Sequence, residues 1–99
     1  MISAEFERLK RLGACSTQLL ADKTFCEIIA DLKSEAIRNW SAALSPEKRE
    51  EYWYDLQAVG RLENLMKAYG QQYRAETQKI EAVDRRRKAQ DEYREAARG

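Results

Sequence analysis

The sequence predicts an all-α protein, built as a helical hairpin or a three-helix arrangement with a long, projecting C-terminal helix. Three observations lead to this fold class. Apolar residues recur at steps of three and four along most of the 99-residue chain, which places them on one face of a helix. Charged residues make up 35% of the chain, an excess that fits helices with large exposed faces. The only proline, Pro46, follows a serine, as at many helix starts.

The first helix is predicted from Ser3 to about Ala21. Ser3 can cap its start, and two acidic residues lie in the first turn, where the helix dipole favours negative charge. Gly13 lies in the middle of this helix, where glycine costs about 1 kcal/mol relative to alanine. Either a close helix crossing or a local break explains it. The predicted buried face consists of Phe6, Leu9, Leu12, Leu19 and Leu20.

The second helix is predicted to run to about Leu44, after a short connection over residues 21–24 in which either Asp22 or Thr24 can provide the cap. Its apolar residues follow a period of 3.6, which predicts that they form part of the core. They are Phe25, Ile28, Ile29, Leu32, Ala36, Trp40 and Ala43. Trp40 lies near the helix end, where a large ring often packs at an edge or an interface.

The third and longest helix is predicted to start at Ser45 and Pro46. The apolar series continues in register past Gly70, which favours one continuous helix, with a break at Gly70 as the alternative. Two heptad positions hold apolar residues at seven of eight sites, the spacing of a coiled-coil seam. One position holds Val59, Met66, Tyr73 and Ile80, and the other holds Leu62, Tyr69, Glu76 and Val83.

Three consecutive aromatic residues, Tyr52, Trp53 and Tyr54, follow the start of the third helix. They point in directions about 100° apart, because a helix has 3.6 residues per turn. The three rings therefore cannot all face one intramolecular partner, and at least one is expected to be exposed or to meet another chain.

The predicted domain organisation is a compact helical domain over residues 1–70 and a charged helical extension over residues 71–99. Two short helices cover one side of the long helix, and its distal apolar residues are expected to lie beyond their reach. We therefore predict a homo-oligomer or a larger protein assembly, with no membrane partner. The predicted interface consists of Trp53, Met66, Tyr69, Tyr73, Ile80 and Val83.

The composition argues against an enzyme. The chain has no histidine, which removes the commonest general base and most metal sites, and its four glycines are isolated, so that no phosphate-binding loop is present. No catalytic residue, cofactor or metal site is predicted. Cys15 and Cys26 are expected to be reduced and semi-buried. No apolar run approaches the length of a membrane span and no secretory signal is evident, which favours a soluble cytoplasmic protein.

The sharpest charge feature is the run Arg85, Arg86, Arg87 and Lys88. It can contact phosphates, which makes a nucleic-acid-binding regulator or packaging accessory the alternative function. Residues 84–99 hold six basic and four acidic residues, a net charge of only +2, and four adjacent positions wrap around a helix. A solvated helical surface is therefore the favoured interpretation of this run.

The chain resembles small helical proteins of tailed bacteriophages, products of head and packaging regions. The similarity covers about the first 70 residues. It rests on the opening residues 1–10, on residues 19–25, on a helix ending near Trp40, and on the later cluster of Tyr52, Trp53 and Leu56. The resemblance implies a virion component or assembly factor, in the host cytoplasm or the virion. An inhibitor that docks on a host protein fits the same sequence and is a further alternative.

Overall fold

Three helices make up residues 3–98, the part of the chain that the computed structural model describes. They are α1 (Ala4–Ala21), α2 (Lys23–Ala42) and α3 (Pro46–Arg98). The all-α fold and the long C-terminal helix are confirmed, and α3 passes through Gly70 without a break. Within the described residues, none of the helices combines the length and the apolar character that crossing a bilayer requires.

A polar side chain caps the start of each helix. Ser3, Asp22 and Ser45 each accept a hydrogen bond from the backbone amide three residues later, at 3.0, 2.8 and 3.2 Å respectively. Such a cap contributes about 1 kcal/mol, because it satisfies an amide that has no partner inside the helix. Asp22, rather than Thr24, therefore starts the second helix.

The three helices form a hairpin of two parallel rods. Asp22 is the only residue between α1 and α2, and its extended backbone joins them end to end. The chain reverses only at residues 43–45. Lys33 of α2 pairs with Glu63, and Thr17 of α1 lies against Gly70. Both short helices therefore run antiparallel to α3, with α2 beside its first part and α1 beside its middle.

The molecule is long and thin, at 82 × 25 × 18 Å. A helix with its side chains is about 10–12 Å wide, so these dimensions correspond to a single layer of two helices. The radius of gyration is 22.4 Å, against about 13 Å for a compact domain of this length. The last part of α3, residues 78–98, extends beyond α1 and is called the arm below.

The inward face of α3 follows a strict alternation of steps of four and three. It consists of Tyr52, Leu56, Val59, Glu63, Met66, Gly70, Tyr73 and Thr77, all buried or half-buried. Of the first heptad position, Val59, Met66 and Tyr73 face inward, whereas Ile80 is 44% exposed. Leu62 and Val83 of the second position are 46% and 53% exposed, and a series that contains a glutamate, a glycine and a threonine faces inward instead.

A close crossing of α1 and α3 explains the mid-helix Gly13. A Cβ atom at Gly13 would lie 2.5 Å from Cβ of Tyr73 and 2.8 Å from the carbonyl oxygen of Tyr69. Gly70 faces the same crossing, since a Cβ atom there would lie 2.9 Å from the hydroxyl of Thr17. Gly60 is different, because its Cβ position has nothing within 4 Å.

The reach of the short helices is longer than predicted. Tyr69 and Tyr73 were expected to lie beyond their own domain, and this was wrong: Tyr73 packs on Phe6, with ring centroids 6.3 Å apart. The 18 and 20 residues of α1 and α2 lie end to end and span about 57 Å at 1.5 Å per residue. The contact therefore passes the predicted boundary at residue 70.

The core of this hairpin is small. Among the described apolar residues, Ile29, Ala36, Val59 and Met66 are buried, and each keeps 6–8% of its surface exposed. The chain exposes 8341 Å² in total, whereas a compact monomer of 11.5 kDa exposes about 5,800 Å². Much of the surface that a globular protein of this size would bury is therefore open.

Candidate functional site

The six predicted interface residues divide into two groups. Met66, Tyr69 and Tyr73 lie in or beside the contact between α1 and α3, with Met66 only 8% exposed. The hairpin itself therefore covers much of their apolar surface. Trp53, Ile80 and Val83 are 45%, 44% and 53% exposed, respectively, so these three remain accessible to another molecule.

One flat side of the hairpin carries a set of exposed aliphatic residues, each of which directly precedes an inward-facing residue. In two antiparallel helices, such a preceding residue lies on the same side of the pair in both helices, because each step turns 100° in the same sense along its own chain. The five residues therefore share one face, called the leucine face. It consists of Leu19, Ile28, Leu32, Leu62 and Leu65.

The close packing of the rods explains why these side chains stay outside. Gly13, Ser16, Ala36 and Gly70 occupy inward positions and bring the backbones together. Little room remains between the rods for larger groups. The neighbouring aliphatic side chains consequently lie beside the contact rather than within it, with exposures between 37% and 59%.

The opposite side of the hairpin carries aromatic residues near the reversal at residues 43–45. Trp40 and Trp53 line one groove together with Pro46 and Arg49. The ring of Tyr54 packs edge-on against Trp53, with centroids 5.2 Å apart. The prediction that at least one of the three consecutive aromatics is exposed is confirmed, and Trp40 lies at the edge, as expected for its place near a helix end.

The arm presents the basic run to solvent. Arg85, Arg86, Arg87 and Lys88 are all exposed, and the ion pairs found within residues 3–98 do not include them. Val83 and Ile80 lie just before the run. Nucleic-acid contact stays a prediction.

The two thiols differ from expectation. Cys15 and Cys26 are free thiols, and both are exposed rather than semi-buried as expected. The Cys26 thiol donates a hydrogen bond to the carbonyl of Leu20 at 3.3 Å, across the junction between α1 and α2. This bond links the two rod segments on either side of Asp22.

Apolar periodicity predicts that Leu19, Ile28 and Leu32 belong to the core, so the leucine face was not predicted. A signal was present in the doublets Leu19-Leu20, Ile28-Ile29 and Leu65-Met66. A doublet widens the apolar stripe by 100°, which is more than one neighbouring helix covers. Comparison with known protein families, curated proteins and solved structures finds no match to this chain.

Proposed function

We propose that this protein is a non-enzymatic structural or assembly module that acts through association between helices. The observation that carries the proposal is the unpartnered apolar surface of a single layer of two helices. A helix is stable in water when its apolar stripe is buried against another element. Here the leucine face and the aromatic side of the rods have no such element against them.

The size of the open surface supports this role. The 8341 Å² that the chain exposes exceeds the value for a compact monomer by about 2,500 Å². Stable protein interfaces bury about 1,200–2,000 Å² over both partners, and obligate ones bury more. The open surface is therefore large enough for a stable interface.

The partner is a helical surface, either another copy of this chain or a different protein. A phage virion component or assembly factor, which the sequence resemblance implies, would use such a module in the host cytoplasm or the virion. An inhibitor that docks on a host protein would use the same surfaces.

Light scattering coupled to size-exclusion chromatography tests self-association. We expect the full chain to elute with a mass well above 11.5 kDa, and the mass to fall on dilution. Replacing Ile80 and Val83 together by aspartate then tests whether the arm contributes to self-association. A mass of one chain at every concentration would contradict self-association.

A nucleic-acid-binding function is the second candidate, and the exposure of Arg85–Lys88 on the arm favours it. Against it, consecutive side chains point 100° apart, so that the four charges surround the helix instead of lining one side. The overall charge of +1 gives no general attraction to phosphate. Helix association therefore remains the preferred function.

A further inference from the structure

The leucine face is the largest set of exposed aliphatic residues that two rods share. Two of its residues, Leu62 and Leu65, lie on α3, and two others, Ile28 and Leu32, lie on α2. The salt bridge between Lys33 and Glu63 fixes the register of the two rods at this level. Leu32 and Leu62 directly precede these paired residues and therefore lie beside each other.

The charge pattern of the face fits a copy of itself. The five residues that define it are uncharged, and nearby acidic groups such as Glu35 and Asp55 lie at the end of the face, where they border a groove with Leu32. Two such faces can meet without placing like charges at the centre. The net charge of +1 per chain adds almost no repulsion between copies.

The architecture also fits a second copy. A single layer of two antiparallel helices has the arrangement of half a four-helix bundle. In such a bundle, each layer covers the apolar face of the other. Each chain exposes about 2,500 Å² more than a compact monomer does. That surplus includes the charged arm, whose residues are nearly all exposed. An interface of standard size, about 1,200–2,000 Å² over both copies, needs only part of it.

We propose that the leucine face is the self-association site of this protein, and that a second copy of the chain packs on it to complete a four-helix bundle. This inference rests on the proposed function and names the partner and the surface. It places Leu62 and Leu65 inside the interface and leaves the aromatic groove of Trp40 and Trp53 outside it.

The test compares two double variants with the unmodified full chain by light scattering and sedimentation. Leu62→Lys with Leu65→Lys alters the leucine face. Ile37→Lys with Trp53→Lys is the matched control, because these two residues directly follow inward residues and therefore lie on the opposite side. The two pairs are exposed to a similar extent, between 45% and 51%, so their effects on the fold of the hairpin are comparable. We expect the unmodified chain and the control to be dimers of about 23 kDa, twice the chain mass of 11.5 kDa.

The leucine-face variant should be monomeric. Its dissociation constant should rise by more than about a thousandfold, because four leucines per dimer lose their burial. Far-UV circular dichroism must show unchanged helix content. If the lysine variant loses helix, Leu62→Gln with Leu65→Gln replaces it, since glutamine is polar and favours helices.

The outcomes separate the two proposals. A dimer that persists in the leucine-face variant, or one that the control abolishes, overturns the leucine-face site while self-association stands. A monomeric unmodified chain overturns both the leucine-face site and self-association, and leaves a different protein as the partner of the module. A dimer lost only in the leucine-face variant supports both.

Discussion

Replacing Gly13 by alanine tests the close crossing of α1 and α3. In an open helix this change stabilises by about 0.8–1.0 kcal/mol, because alanine has the higher helix propensity. At Gly13 the new Cβ would lie 2.5 Å from Cβ of Tyr73 and 2.8 Å from the carbonyl oxygen of Tyr69. Both atoms are fixed to the backbone of α3, so the two helices must separate, and such overpacking costs about 1–3 kcal/mol.

Gly60→Ala is the matched control, because its Cβ position has nothing within 4 Å. We expect Gly60→Ala to raise the free energy of unfolding by about 1 kcal/mol, and Gly13→Ala to lower it by up to about 2 kcal/mol. Gly70→Ala should fall between them. Its Cβ atom would meet the Thr17 hydroxyl at 2.9 Å, and that flexible group can rotate at the expense of its 2.8 Å bond to the Gly13 carbonyl.

Thermal and urea unfolding followed by circular dichroism measures the three variants. One kcal/mol shifts the melting temperature of a domain of this size by about 4–8 °C, so Gly13→Ala and Gly60→Ala should differ by at least about 4 °C. All samples must have the same protein concentration, because association contributes to apparent stability. An increase in stability for Gly13→Ala equal to that for Gly60→Ala would show that α1 and α3 do not touch there.

Three further changes probe other features. Thr77→Val should raise the free energy of unfolding by about 1 kcal/mol, because the Thr77 hydroxyl is buried without a partner within the described residues. Thr17→Val removes a hydrogen bond and should lower the free energy of unfolding. Equal changes for the two variants in urea unfolding would show that the Thr77 hydroxyl is not unsatisfied. Glu63→Lys or Lys33→Glu alone should each destabilise by no more than about 1 kcal/mol, given the partial exposure of the pair. The double reversal should restore the melting temperature, and an additive loss would mean that the two charges do not interact. In a gel-shift assay at low salt we expect no complex with duplex DNA; a complex that weakens with salt and on replacing Arg85–Arg87 by alanine would favour the nucleic-acid function.

The helix starts could be predicted from sequence because their causes are local. Ser3 and Ser45 cap amides only three residues away, and Pro46 has a backbone that suits the first helical turn. The continuity of α3 through Gly70 followed from the apolar register. These features depend on interactions within one helix, and the sequence contains both partners of each interaction.

The topology depended on a detail that the sequence analysis overlooked. A predicted connection of four residues at 21–24 would allow the chain to reverse, and antiparallel helices need loops of about 2–5 residues. The actual connection is Asp22 alone, which is too short for a reversal. The two short helices therefore continue in one direction, and this places α1 beside Tyr73 rather than beside α2.

The leucine face could not be distinguished from the core for a related reason. Periodicity shows that Leu32 and Leu62 are apolar and on a broad stripe, but not which part of that stripe a neighbour covers. The choice depends on how closely the backbones approach. Small inward residues such as Gly70 and Ser16 make that approach possible, and apolar periodicity does not include them.

The end-to-end junction at Asp22 also sets an order of assembly. Ala36 and Val59 border one groove and are 23 positions apart, whereas Gly13 and Tyr73 meet across 60 positions. Joining distant segments costs more loop entropy, so we expect the hairpin to close from its bend outward, with α1 docking after α2. In the native protein α1 and α2 meet end to end, so each of them is held mainly by its own part of α3.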